Sequence, residues 1–392
     1  MHILITVNAA WNIWNFRRSL VEALQADGHR ITILAPHDDS VPSLQASGCR
    51  FIPLAMDVKG LNPVADFWLM RRFGRHFRSE RPDVVLSYTV KNNLFGALAA
   101  RPLGLPFIPN ITGLGTAFLS GGILRTIAEG LYRKAFRHPE RVFFQNADDR
   151  DFFIQRNLIR TGQAELVPGS GIDLRYFDVA AFPAEEEPPI FLMIARLLRD
   201  KGVAEFVEAA IRVKSRWPQA RFQLLGALAP ENRGAIDPNV VRGWQAEGTI
   251  EYLGQASDVR PHIAAASCVV LPSYREGAPR TLIEAAAMGR PIITTDVPGC
   301  RSVIEDGVTG YLCAARSAES LAQACLRFLE LGNGARADLG RRGREKMKRE
   351  FDQAIVIAAY RKVLASLEHR FSTDRLPEKN LGSSADVMAN VS

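Results

Sequence analysis

Short apolar runs closed by glycine or proline, most of them followed by a stretch of helical period, recur along the chain. In the second half they are Pro189-Ile-Phe-Leu-Met-Ile-Ala195, Phe222-Gln-Leu-Leu-Gly226, Ile250-Glu-Tyr-Leu-Gly254, Cys268-Val-Val-Leu-Pro272 and Pro291-Ile-Ile-Thr-Thr295. Most are continuous rather than alternating, which predicts parallel strands buried on both faces. Val203 to Val213 predicts the helix after the first of them, and Val303 to Leu312 completes the set. In the first half, Met1 to Val7 predicts a strand, not a signal peptide, because it lacks a basic start and a longer apolar core. One helix follows through Ala26, Gly28 ends it, and Arg30 to Ala35 is the next strand. This order places the chain in the α/β class.

With 392 residues, 47% of them apolar, two domains are expected. Val167-Pro-Gly-Ser-Gly-Ile-Asp173 reads as a hinge between residues 1–172 and 173–352, and the Pro-rich stretch 180–189 as a connector. Residues 353–370 are expected to form a helix crossing back to the first domain. Residues 371–392, rich in Ser, Asn and charge, are expected to be a disordered tail.

The chemistry concentrates in Ser273-Tyr-Arg-Glu-Gly-Ala-Pro-Arg-Thr-Leu-Ile-Glu-Ala285. Glu276 falls at the carboxyl end of a strand, where open α/β sheets bind ligands. A helix starting near Arg280 would aim the N–H groups of Thr281 and Leu282 at an anion. Glu284, about a turn into that helix, can accept hydrogen bonds from ribose hydroxyls. The alternative is two acids decorating a helix N-terminus. Arg196 and Lys201, after another strand, suit a diphosphate, and Gly226 and Gly254 close two further strands where a ligand can come close.

Together these motifs, from about Ile190 to Leu312, resemble the carboxyl-terminal half of retaining glycosyltransferases of family 4. The resemblance implies the GT-B fold, two Rossmann-like domains facing a cleft with a C-terminal helix crossing back. It implies that Glu276 contacts the donor sugar and Glu284 the ribose, and that Arg196 and Lys201 neutralise the leaving diphosphate. Backbone around Gly277, Ala278, Pro279, Thr281 and Leu282 would hold the sugar and distal phosphate. A UDP-sugar is then the donor, and neither a cofactor nor a metal is required.

Asn15-Phe-Arg17, Thr89-Val-Lys-Asn-Asn-Leu-Phe-Gly96 and Asn110-Ile-Thr-Gly-Leu-Gly-Thr-Ala-Phe118 resemble bacterial transferases that add N-acetylgalactosamine or a related hexosamine to a sugar on undecaprenyl diphosphate. Asn8, Arg17, Lys91, Thr112 and Gly113 become the acceptor-side candidates. The chain departs from that pattern in three places. Asn8-Ala9-Ala10 stands where many relatives have a glycine pair, Val90 beside Lys91 where some have a histidine, and Thr112 where some have a glutamate.

Charge adds a possible membrane partner. Of the net charge of +7, the first 172 residues carry 20 Lys/Arg against 14 Asp/Glu and the rest 29 against 28, so the excess lies in the acceptor half. Between Phe67 and Arg78, Leu69, Met70, Phe73 and Phe77 share one helical side and Arg71, Arg72, Arg75 and Arg78 the other. Such a helix either packs its stripe on the sheet as an ordinary crossover or docks on anionic lipid. The same choice applies to Ile123 to Arg137, beside Phe118, Leu119, Gly121 and Gly122. No apolar run is long enough to span a bilayer. The expected place is therefore the bacterial cytoplasm, peripheral on the inner face of the cytoplasmic membrane.

Five scattered cysteines carry no zinc spacing and suit a reducing compartment. Asp149-Arg-Asp151 could in principle hold a metal, but its position after Asn146 assigns both acids to the first turn of a helix. No nucleic-acid reader motif accompanies the basic balance. Two rival functions remain on sequence alone, a GT-B nucleotide-sugar epimerase and a non-catalytic binding protein.

Overall fold

Seven strands build the first sheet: β1 (His2–Thr6), β2 (Arg30–Ala35), β3 (Arg50–Pro53), β4 (Val84–Tyr88), β5 (Phe107–Ile111), β6 (Val142–Phe144) and β7 (Ala164–Leu166). Six build the second: β8 (Ile190–Ile194), β9 (Arg221–Leu225), β10 (Glu251–Tyr252), β11 (Cys268–Leu271), β12 (Ile292–Thr295) and β13 (Gly310–Cys313). The computed structural model describes residues 1–58, 60, 62–114, 122–228, 232 and 234–374.

Strand order is β3-β2-β1-β4-β5-β6-β7 in one sheet and β10-β9-β8-β11-β12-β13 in the other, and every pairing is parallel. Both orders reverse at a central pair, β1 with β4 and β8 with β11, and such reversals open ligand crevices at the carboxyl ends of the strands. The continuous apolar runs are accounted for by double burial: apolar side chains pack on both faces of the first sheet and into one core around the second.

The chain passes between the domains at two adjacent points. Ile172 N–H donates to the Phe351 carbonyl at 2.8 Å, and Gln353 N–H returns to the Ile172 carbonyl at 3.1 Å. Gly171, at φ 73°, lies where a Cβ would overlap Gln353. The last helix, Gln353–Asp374, then packs on the first domain through Val356, Tyr360, Val363, Leu364 and Leu367. Tyr360 packs on Phe143 with ring centroids 4.5 Å apart and the planes tilted by 38°, and Arg361 grips Asp27 at 2.7 and 2.8 Å.

Three local expectations change. The first helix is two, Ala10–Phe16 and Arg18–Ala26, because Arg17 leaves helical geometry at φ −136°. The last helix runs to Asp374, into the stretch expected to be disordered, and residues 375–392 lie outside the described residues. The helix around Phe67 to Arg78 extends over Pro63–Glu80, with Asn62 capping Val64 N–H at 3.0 Å and Pro63 in its first turn. Its stripe of Leu69, Phe73 and Phe77 is buried in the sheet-facing core, with Met70 packed against it, so the crossover reading holds for that face. In Gly122–Ala135 likewise Tyr132 and Ala135 are core, and Arg125 bonds Glu129 at 2.9 Å. Phe118, Leu119 and Gly121 lie outside the described residues.

A buried polar bond, Asn110 Nδ2 to Tyr360 Oη at 2.9 Å, ties the crossing helix to the first sheet. Tyr360→Phe removes the acceptor and should lower stability by about 1–3 kcal/mol, read as a lower midpoint in urea unfolding. An unchanged midpoint would mean that the bond adds nothing to docking of the helix.

Candidate active site

Glu276 lies in the loop after β11, and three contacts from its own domain orient it. Lys201 Nζ approaches its Oε1 at 2.5 Å, Ser273 Oγ donates to the same oxygen at 2.7 Å, and Glu276 N–H donates to the Pro298 carbonyl at 3.2 Å. Lys201 reaches it because the loops after β8 and β11 lie against each other. The chain turns at Gly202, φ 76°, where a Cβ would collide with the Pro272 carbonyl. The Asp200 carbonyl accepts from Tyr274 N–H at 2.9 Å and from Ser273 Oγ at 3.2 Å. Glu205 Oε1 then anchors the Tyr274 hydroxyl at 2.6 Å.

Lys201 and Glu276 line a cleft of about 430 Å³ between the domains. Arg196, Lys201, Glu276 and Gly277 face it from the second domain, and Asn8, Lys91, Thr112 and Gly113 from the first. The three expected catalytic residues and four of the five acceptor candidates therefore meet in one space, with Gly277 alone from the expected donor-binding set. Arg196 is exposed and has no acceptor among the described residues, whereas Lys201, expected on the diphosphate, is engaged by Glu276. Lys91 pairs with Asp66 at 2.7 Å, and Asn8 Oδ1 accepts from Asn12 Nδ2 at 2.8 Å.

Several expectations need correction. Arg17 is buried, stacked 3.8 Å from the Tyr88 ring centroid, and is not among the cleft residues. Glu284 is buried away from that cleft and held by Arg280 Nε at 2.8 Å, while Arg280 also reaches the Ser170 hydroxyl at 3.0 Å and the Gly171 carbonyl at 2.5 Å. Burial pushes the Glu284 carboxyl above its ordinary range and the guanidinium opposes that rise. In helix Arg280–Ala287 the Leu282 N–H is already spent on the Pro279 carbonyl at 3.1 Å, and its side chain is core. Thr281 N–H has no acceptor among the described residues. At Gly226 a Cβ would strike the Ala195 carbonyl, which is a structural reason for glycine there; Gly254, φ 73°, faces open space. Pro279 is buried and Ala278 half-buried, touching the Cβ position of Gly169.

Asp149 and Asp151 part company. Asn146 caps their helix, accepting from Asp149 N–H at 2.8 Å, but the Asp149 carboxylate is buried and ion-paired with Arg275 of the other domain. Asp151 pairs with its neighbour Arg150 at 2.8 Å. Among the described residues no group of three His, Cys, Asp or Glu side chains is placed to hold a metal. Sequence reasoning missed Arg275, Asp200 and Thr89, all on the cleft. Thr89 holds φ 71°, strained for a β-branched residue, at the start of helix Val90–Ala100. No local pattern signals these three.

Residues 188–331 match the family model described as "Glycosyl transferases group 1", and residues 13–169 match "Glycosyl transferase 4-like domain". The chain belongs to the family 4-like, group 1 glycosyltransferases. Among its relatives, N,N'-diacetylbacillosaminyl-diphospho-undecaprenol alpha-1,3-N-acetylgalactosaminyltransferase of Campylobacter jejuni is 28% identical over 84% of this chain and 90% of its own length. UDP-Gal:alpha-D-GlcNAc-diphosphoundecaprenol alpha-1,3-galactosyltransferase of Escherichia coli is 25% identical over 75% of this chain and 76% of its own. HepE of Anabaena, solved with UDP-glucose, shares the fold at a TM-score of 0.74 and 17% identity, covering 93% of this chain and 100% of that one. The GT-B architecture expected of the glycosyltransferase is thus present, and sugar transfer takes the place of the epimerase and binding alternatives.

The geometry around Glu276 makes a direct test. Glu276→Gln keeps the shape but not the charge, and should retain UDP binding while losing most transfer. Turnover within a few-fold of wild type would remove Glu276 from the site. Arg196→Ala should instead weaken UDP binding measured by calorimetry, since it takes away an unpaired cation available to a diphosphate, and Lys201→Ala should weaken it less, since Glu276 already competes for that ammonium.

Proposed function

We propose that this glycosyltransferase moves a hexosamine, with N-acetylgalactosamine from UDP-GalNAc the best match, onto an undecaprenyl diphosphate-linked sugar in bacterial glycan assembly. The observation that carries the reading is the cleft in which Glu276, Lys201 and Arg196 face Asn8, Lys91, Thr112 and Gly113. The names of the Campylobacter and Escherichia relatives support the lipid-linked acceptor.

In this reading an acceptor hydroxyl oxygen bonds to the sugar's anomeric carbon on the face from which UDP departs, so the α configuration is retained. The bond from that carbon to the phosphate oxygen breaks, its electron pair stays on UDP, and the departing phosphate takes the hydroxyl proton. Arg196 and Lys201 stabilise the charge that develops on the diphosphate, the kind of contribution that is usually the largest catalytic one. Glu276 holds the donor sugar's hydroxyls. No enzymic nucleophile and no metal take part.

A panel of UDP-sugars offered with a lipid-diphosphate sugar acceptor tests the substrate reading: UDP-GalNAc should lengthen the acceptor with retention, and failure of every hexosamine donor would overturn it. Transfer should also persist in excess EDTA. Loss with chelator and recovery with manganese or magnesium would end the diphosphate role given to Arg196 and Lys201.

The enzyme would work as a peripheral protein on the inner face of the cytoplasmic membrane. No helix among the described residues is long and apolar enough to cross one. The stripe of helix Pro63–Glu80 is buried, but Val64, Phe67 and Trp68 are exposed by 63%, 50% and 55% at the end where Asp66 holds Lys91 of the cleft. Arg71, Arg75 and Arg78, none of them ion-paired among the described residues, line a groove of about 330 Å³ with Trp68, Leu98 and Pro102. Each arginine at an anionic surface contributes on the order of 1 kcal/mol. Arg71→Glu with Arg75→Glu should weaken flotation with anionic liposomes and transfer to a long-chain acceptor, while sparing a short soluble one. Equal, salt-insensitive flotation would overturn the membrane reading. Arg72 is excluded because it donates to the Ala55 carbonyl at 2.9 Å.

A further inference from the structure

Both chain neighbours of Glu276 are held by the opposite domain, although Glu276 itself is held by its own. Arg275 pairs with Asp149, which is 0% exposed in the first turn of helix Ala147–Gln155. The Gly277 carbonyl accepts from Asn146 Nδ2 at 2.7 Å, while Asn146 Oδ1 caps the same helix on Asp149 N–H at 2.8 Å and Nδ2 also reaches Asp149 Oδ2 at 3.1 Å. On its other side Gly277 lies so close to the Thr112 carbonyl that a Cβ would collide with it. One helix start in the acceptor domain thus grips the donor loop at positions 275 and 277.

A buried carboxylate is tolerated only with a partner, and removing one partner leaves an uncompensated charge. Were the domains to part, water would reach both Asp149 and Arg275, so the pair would not forbid opening; on closing it would favour the relative placement that satisfies both charges and the Asn146 amide together. The constraint falls on the two residues that flank Glu276, and its side chain can follow only where they lead.

We propose that Asp149 and Asn146 are positioning residues, which on closure set the Arg275–Gly277 backbone and so aim the Glu276 carboxylate at the donor sugar. The proposal rests on the sugar-transfer reading and adds that donor-loop geometry is completed by the acceptor domain. UDP binding, made by the second domain, does not need these contacts; transfer does.

The test compares Asp149→Asn with Asn146→Ser. The latter keeps a helix-capping oxygen and loses only the amide on Gly277. A misplacement of about 1 Å at a reacting centre can lower kcat by about 100-fold. A loss on that scale is expected for Asp149→Asn, with a smaller one for Asn146→Ser and UDP affinity unchanged in both. In a Glu276→Gln background, Asp149→Asn should take away little more, because both act through one carboxylate. Additive losses, a parallel fall in UDP affinity, or near-wild-type turnover in either folded variant would overturn the proposal. If Asp149→Asn does not fold, Asn146→Ser carries the same comparison. Small-angle scattering with UDP reads the latch apart from chemistry: the radius of gyration should be larger in the variants than in wild type, and equal values would overturn it. Absence of transfer by the wild-type enzyme itself would count against the hexosamine reading alone.

Discussion

Parallel pairing of β8 with β11 is the constraint from which the rest of the site follows. Only Cys268 with Phe191 and Val269 with Leu192 are in register, yet these pairs bring the carboxyl ends of two strands far apart in the chain side by side. The loops that leave them then share a wall. Gly202 lets one pass under the Pro272 carbonyl of the other, and Asp200 backbone bonds seal the contact. Lys201 meets Glu276 as a result of that sheet order.

The Lys201–Glu276 contact has two sides. Both charges are largely withdrawn from water, with side chains 19% and 14% exposed, so their attraction is stronger than in solvent. It holds the carboxylate still, and in the proposed reaction a diphosphate would have to compete with Glu276 for the ammonium, whereas exposed Arg196 has no acceptor among the described residues. The two cations expected to act alike therefore start from different states. One is a free charge at the rim, and the other is already spent on orienting the acid.

The domain junction is equally economical. Two chain crossings are bonded to each other at Ile172, Phe351 and Gln353, and the crossing helix packs on the core of the first sheet. Opposite this junction, Asn146 and Asp149 touch the donor loop. The same two acids that could pass for a metal motif in the sequence are thus divided between an interdomain ion pair and an exposed neighbour contact.

The sequence by itself determined the strands of the second sheet, the first two of the first sheet, their parallel class, the two-domain plan and the loop that carries Glu276. Strand burial and turn chemistry are local properties, written as continuous apolar runs and as glycines such as Gly28 and Gly202 at positive φ. It also pointed to Arg196, Lys201, Asn8, Lys91, Thr112 and Gly113 as site residues, and the fold gathers them in one cleft. Only the tertiary structure decided which charge meets which. Arg275 faces a carboxylate 126 positions away and Lys91 one 25 positions away. Arg17 turns inward onto Tyr88, and Glu284 sinks beside Arg280. Periodicity encodes how a segment presents its faces to a core, but the partner of a polar side chain at a cleft is set by how two separately packed sheets come to rest against each other.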